Sequence, residues 1–512
     1  MNSKKENRSK SGFQRFLSRI ERVGNRFPHP FMLFVILSVL VILVSVLTRN
    51  LEVTLPGTPP TIVKGVNLFN GAGFLSILSN MVKNFVNFPP LGMVLVTMIG
   101  VGVADESGLF RATLMRSIQG VPSWLITAVL VFIGINASVM GDAGGVIVPV
   151  LGAIIFAAKG RNPLAGVIAG YASVNAGVSA CIFVGGLDVM LAGVTQKAAA
   201  ILPLAAAQPT HALINWYLLA AAAVILTPVG TLVTEKIIVP MCGERKDENP
   251  EQQESAELTP QERHGLRATA LAGSVFLAIV LLLTIPTNGI LRDPKTHTIL
   301  PSSPLMSFLV PLLFLLFLTL GLAFGYASGT IKSTKDIGQM MSKGLSSLSG
   351  FLVISFFAAQ FIALFQQSNL ATILAVKGTE FLQLIHLTGI PLVLVFVVIC
   401  CFINLFMVSS SAKWIILAPI FVPMFAMLGL SPAGTLAAYR IGDSVTNIIS
   451  PLSPYLPFLL TLMKKYDKDS GFGTAISLML PYTIWFAVTW TVLLVVWGLL
   501  KIPLGPGTSM WM

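Results

Sequence analysis

Long apolar runs, separated by short polar ones, dominate the chain. Residues 31–47 and 213–233 are largely continuous and apolar, without the alternation of a barrel strand, so they predict helices that span a membrane. Further spans are expected at 91–103, 164–183, 268–285, 305–325, 351–365, 434–463 and 476–500. Residues 74–88, stopped by Pro89-Pro90, predict a short helix on the membrane surface, and 368–384 a second interfacial one. Two apolar stretches carry a polar interruption at mid-length: 122–158, broken at Ser138–Gly145, and 390–428, broken between Met407 and Trp414. Each arm is too short to span comfortably, and the basic residues flanking the first (Arg111, Arg116, Lys159, Arg161) fall on one side. Both therefore predict re-entrant helical hairpins with polar tips.

These interruptions repeat. Asn136 and Asn404, Tyr171 and Tyr439, and Asn175 and Asp443 are each 268 residues apart (404 − 136 = 268), as are the pairs Ala165-Gly166 and Ala433-Gly434. Matching polar breaks in two halves point to a transporter built from inverted repeats, with its site where the breaks meet. The fold class expected is an all-α integral membrane protein of about nine spans plus two hairpins. Its divisions are a basic cytoplasmic tail (1–28), a first membrane half (29–240), a polar linker (241–267) and a second membrane half (268–512).

Composition narrows the reading. The 512 residues are 54% hydrophobic and 11% charged, where soluble domains carry about 25% charge. The net charge of +12 suggests nucleic acid, but Lys4, Lys5, Arg8, Lys10, Arg15, Arg19, Arg22 and Arg26 precede the first apolar run. That placement fits a cytoplasmic N-terminus and argues against a nucleic-acid partner. Four cysteines without metal-type spacing read as apolar fillers, and no phosphate-binding loop is present to hydrolyse ATP.

Charged and amide side chains deep in lipid are costly and mark ion or solute paths. The ion-site candidates are Asn136, Asp142 and Asn175 in the first half and Asn404 and Asp443 in the second. Ser138, Ser173, Ser409, Ser410, Ser411, Ser444, Thr446 and Asn447 stand beside them. Such oxygens suit a hard cation such as sodium, with Asn404 and Asp443 as its metal ligands, or Asp443 carries a proton. Arg440, one turn before Asp443, is either that acid's ion-pair partner or a fork for a solute carboxylate. Lys413 offers a carboxylate contact or snorkels to the surface, and Trp414 stacks on an aromatic ring or marks the interface. Asp188 is a buried acid or a helix cap. A membrane hydrolase using Ser411 with Asp443 lacks a well-placed base other than Lys413.

Several strings then carry a resemblance: Ser411-Ala412-Lys413-Trp414 with Ala418-Pro419-Ile420-Phe421-Val422-Pro423-Met424, Tyr439-Arg440-Ile441-Gly442-Asp443-Ser444, and Asn288-Gly289-Ile290-Leu291-Arg292-Asp293-Pro294. With Gly24-Asn25-Arg26-Phe27-Pro28-His29-Pro30-Phe31 and Leu504-Gly505-Pro506-Gly507, nearly the whole chain resembles the aminobenzoyl-glutamate transporter (AbgT) family, within the wider ion transporter superfamily. The resemblance implies nine helices, two hairpins and a homodimer in the cytoplasmic (inner) membrane. It implies transport of p-aminobenzoyl-glutamate or related solutes coupled to sodium or protons, or export of sulfonamide antimetabolites, and no enzymatic activity. It assigns functional positions to Asn404, Ser411, Trp414, Pro432, Arg440, Asp443 and Pro451, and to Asp188.

Overall fold

The computed structural model describes residues 30–55, 61–118, 121–140, 142–243, 258–300, 303–346, 348–453 and 455–512, without the side chains of Pro30, Ile118, Met140, Asp142 and Ala143. The basic tail and most of the linker lie outside these residues. The first half holds α1 (Pro30–Thr48), the hairpin β1–β2 (Glu52–Leu55, Thr61–Lys64), α2 (Gly71–Val86), α3 (Pro89–Glu106), α4 (Leu109–Ile118), α5 (Ile126–Asn136), α6 (Asp142–Ala158), α7 (Pro163–Ala176), α8 (Gly186–Ala199) and α9 (Trp216–Val233). The second half holds α10 (Pro260–Thr284), α11 (Leu309–Ser328), α12 (Thr334–Ser346), α13 (Ser349–Gln367), α14 (Leu370–Leu384), α15 (Gly389–Phe406), α16 (Ser410–Ala426), α17 (Pro432–Val445), α18 (Leu456–Tyr466) and α19 (Phe472–Leu499).

Among the described residues, eight helices are long and apolar enough to cross a membrane. Seven coincide with expected spans. The eighth is α15, an arm of the second polar-tipped unit. The two remaining expected spans are the interrupted ones, α7 and α17, which are 14 residues each and end in 3-10 turns at Gly177–Ser179 and Asn447–Ile449. The repeat holds at the level of whole elements: Asp142–Ala158 and Ser410–Ala426 are offset by the same 268 residues at both ends.

Packing sorts most of the helices into two groups, with α8 between α3 of one and α16 of the other. The outer group is α1–α3 and α10–α13, in which α3 packs on α11 and α12, α10 on α11, and α1 on α13. The inner group is α5–α7, α9 and α15–α19. At its centre every residue of α7 and of α17 is buried, whereas α10 buries only Gly265 and Thr284. Small residues permit the close approaches, as membrane packing requires. A Cβ on Gly152 would stand 2.2 Å from the Gly166 carbonyl oxygen, and one on Gly442 would stand 2.4 Å from Cys400 Cβ. The two breaks pack reciprocally: Gly177–Ser179 lies on α17 and Asn447–Ile449 on α7, with the Tyr171 hydroxyl donating to Ser453 Oγ at 3.0 Å.

Polar contacts fix the ends of these elements. Asn162 caps α7 and Ser431 caps α17, each followed by proline at the first helical position. After α6, Arg161 forks onto both Glu235 carboxylate oxygens at 2.8 Å and reaches Thr127 at 2.9 Å, tying that turn to the continuation of α9. The segment after α19 folds back as a strap. Ser431 donates to the carbonyls of Met510 (N–H, 2.9 Å) and Ser509 (Oγ, 2.5 Å), Met512 N–H donates to Gly429 at 2.9 Å, and Thr508 Oγ1 donates to Ile214 at 2.7 Å.

Candidate functional site

The second break gathers most of the charged candidates. The last turns of α17 present Tyr439, Arg440 and Asp443, the end of α15 presents Asn404, and the first turn of α16 presents Ser410, Lys413 and Trp414. Asp443 and Lys413 form an ion pair at 2.6 Å with both side chains wholly shielded. The other carboxylate oxygen of Asp443 accepts from Ser410 Oγ at 2.6 Å. The Tyr439 hydroxyl donates to the Ser410 carbonyl at 2.5 Å and stands 3.4 Å from Asp443 Oδ1.

Asn404 ties the cluster to the helix break. The two hydrogens of its Nδ2 are shared among the Asp443 carbonyl (2.6 Å), Thr446 Oγ1 (2.8 Å) and Asn447 Oδ1 (2.9 Å), while its Oδ1 accepts from the Lys413 ammonium. The same ammonium donates to the Met407 carbonyl at 3.2 Å, at the carbonyl end of α15. All three ammonium hydrogens thus have acceptors. The oxygens that a sodium ion would take at Asn404, Asp443 and Met407 are engaged by this side chain. Among the described residues, no group of three or more His, Cys, Asp or Glu is arranged to hold a metal.

Arg440 turns away from Asp443. Its Nη1 donates to Asp188 Oδ1 at 2.7 Å, and Asp188 Oδ2 accepts the Gly185 N–H at 2.9 Å at the start of α8. Asp188 is therefore both a cap and an ion-pair partner, and of the two sequence readings of Arg440 the pairing with Asp443 is not the one formed. Arg440 Nε is buried with no hydrogen-bond partner among the described residues. The Trp414 ring lies 4.4 Å from that of Tyr439, the residue before Arg440, at 31°, and its Nε1 donates to Thr195 Oγ1 on α8 at 3.0 Å. Lys413 is interior, not snorkelling, and Trp414 is buried, not at an interface.

The remaining candidates are arranged differently. Ser411 shares a hydrogen bond with Ser409 at 3.1 Å rather than with Asp443. Pro432 is the first residue of α17, and Pro451 is buried in the turn after Asn447–Ile449. In the first half Asn136 donates to the Phe132 carbonyl and accepts from the Ile182 N–H, both at 2.9 Å. Asn175 donates to the Tyr171 carbonyl at 2.9 Å. These amides satisfy nearby backbone groups. The Asp142 side chain lies outside the described residues. Sequence reasoning missed Thr195 and the Met407 carbonyl; neither has a signature, because an ordinary helical threonine and any main-chain oxygen look the same before folding.

Paired helix breaks inside an apolar helical body, with buried ion pairs beside the second, have the form of a multi-pass membrane transporter. The chain belongs to the AbgT putative transporter family, whose profile matches residues 15–512. It is 38% identical over 493 residues, 95% of each chain, to the p-aminobenzoyl-glutamate transport protein of Escherichia coli K12. It is also similar to the crystal structure of the Alcanivorax borkumensis YdaH transporter (TM-score 0.88, 35% identity, 94% of this chain and 100% of that one). A third likeness is to Neisseria gonorrhoeae MtrF, described as illuminating a class of antimetabolite efflux pumps (TM-score 0.90, 38% identity, 96% and 100%).

Proposed function

We propose that the chain moves p-aminobenzoyl-glutamate or a related aromatic amide across the cytoplasmic membrane, driven by a sodium or proton gradient acting at the second break. The observation that carries this is one buried junction holding the three contacts such a solute needs. Trp414 stacked on Tyr439 offers an aromatic face, Arg440 keeps an unpaired buried donor for a carboxylate, and Asp443 with Asn404 offers oxygens at which a cation would act. Nine spans with α5–α6 and α15–α16 as re-entrant hairpins, a cytoplasmic N-terminus and a homodimer belong to the same reading. The description of MtrF favours a second one, export of antimetabolites such as sulfonamides. The test is flux of labelled p-aminobenzoyl-glutamate in proteoliposomes with sodium and pH gradients imposed separately. Accumulation driven by either gradient and lost in Asp443→Ala supports the first reading. Gradient-driven extrusion of sulfonamide without p-aminobenzoyl-glutamate flux supports the second, and gradient-independent flux overturns cation coupling.

A further inference from the structure

Lys413 sits where electrostatics disfavours it. It lies in the first turn of α16, whose N-terminal end carries positive dipole charge and repels a cation. It is also fully shielded inside an apolar protein, where a lone ammonium is expensive. Its contacts explain the placement. A carboxylate oxygen, an amide oxygen and a main-chain carbonyl converge on Nζ from Asp443, Asn404 and Met407. That is the oxygen set of a site for a hard monovalent cation, and a side chain fills it.

The internal repeat supplies an independent observation. The residue 268 positions before Lys413 is Gly145, and the one 268 positions before Asp443 is Asn175. At these two positions the first half lacks the charges while keeping the Asn136 equivalent of Asn404; its acid, Asp142, stands instead at the equivalent of Ser410. The ammonium and its partner carboxylate are thus present together at their positions in one half and absent together from the equivalent positions in the other, as expected of one functional unit.

We propose that the Lys413 ammonium is a tethered resident cation, which a free cation must displace from Asp443 before the solute is bound tightly. Displaced, the four-carbon stem carries the charge toward the solute carboxylate beside Arg440 and Trp414. When the solute leaves, the ammonium returns to Asp443 and expels the free cation. The exchange leaves the empty carrier internally neutralised, pairs one solute carboxylate with the displaced ammonium in the doubly loaded carrier, and disfavours solute alone. No bond is made or broken; one ion pair is replaced by two. This inference rests on the transport reading above for its solute half only.

The test uses the full chain in lipid nanodiscs and two readouts. The first needs no solute: the sodium concentration giving half-maximal thermal protection, with a parallel pH series in sodium-free buffer. Lys413→Gln, which keeps a polar end for Asn404, removes the competitor, so half-protection should move at least about tenfold lower in sodium or one unit higher in pH. The second is p-aminobenzoyl-glutamate affinity with and without the effective cation. Wild type should bind about tenfold or more tighter with the cation, within the usual range of such couplings, and Lys413→Gln less than about twofold. The neutral double variant Lys413→Met/Asp443→Asn, free of uncompensated buried charge, should respond to neither cation. Wild-type half-points and affinity ratio in Lys413→Gln overturn the exchange while leaving the transport reading intact. A shifted half-point without p-aminobenzoyl-glutamate binding in wild type supports the exchange and removes the solute assignment instead.

Discussion

Replacing Asp188 by asparagine removes one charge from the Arg440 pair while keeping an oxygen for the Gly185 N–H. At 2.7 Å the charges attract by about 6 kcal/mol if the effective dielectric is about 20. Desolvation of the two ions offsets much of that, so the intact pair adds little net stability. The variant does not recover that penalty, because Arg440 remains 1% exposed and charged. Breaking a buried pair costs about 3–5 kcal/mol; the 13% exposure of Asp188 places this one near the lower end, about 3 kcal/mol. Denaturant unfolding in detergent is the assay, run as a cycle with Arg440→Met and the double variant. The double variant should be more stable than Asp188→Asn alone, with an interaction energy of about 2 kcal/mol, and should still not transport. A cost for Asp188→Asn below about 0.5 kcal/mol, or strict additivity, would refute the reasoning.

Three further outcomes are expected. Gly442→Ala sets a Cβ 2.6 Å from the Val397 carbonyl oxygen; α15 and α17 must separate, at about 1–3 kcal/mol, and vesicle uptake should fall at least about tenfold at equal membrane abundance. Trp414→Phe keeps the ring on Tyr439 but loses the donor to Thr195, costing about 1 kcal/mol in unfolding, whereas Trp414→Ala costs about 3–5 kcal/mol. Burial holds the His211 imidazole below its ordinary value of about 6.5, against the opposing pull of its bond to the Pro506 carbonyl. The unfolded chain then binds a proton that the native state refuses, so stability falls as pH drops below about 6.5 and is unaffected above it. His211→Gln should flatten that acid-side loss in thermal unfolding measured from pH 5 to 8.

The broken helices were legible because their polar residues recur at one offset, and the arms Asp142–Ala158 and Ser410–Ala426 keep that register. What sequence left open was partnership. Arg440 and Asp443 are three residues apart and share a helix face, yet Lys413 already neutralises Asp443 and Arg440 swings to α8, 252 residues away in sequence. No periodicity encodes such a choice; it follows from how α8, α16 and α17 meet. Reading by hydrophobicity also set the start of α10 at Ala268, whereas the helix begins at Pro260 through the capping box of Thr259 and Glu262. The strands Glu52–Leu55 and Thr61–Lys64, four residues each, fall between residues 47 and 74, where the apolar pattern predicts no element.

The strap that follows α19 gives biosynthesis an order. Ser431 finds its partner carbonyl on Ser509, 78 residues later, so the head of α17 is seated only after α18 and α19 have been inserted. A nascent chain halted before that point already contains Asp188, Asn404, Lys413, Arg440 and Asp443. It holds every polar side chain of that cluster and lacks the clasp at the head of α17, the helix of Arg440 and Asp443.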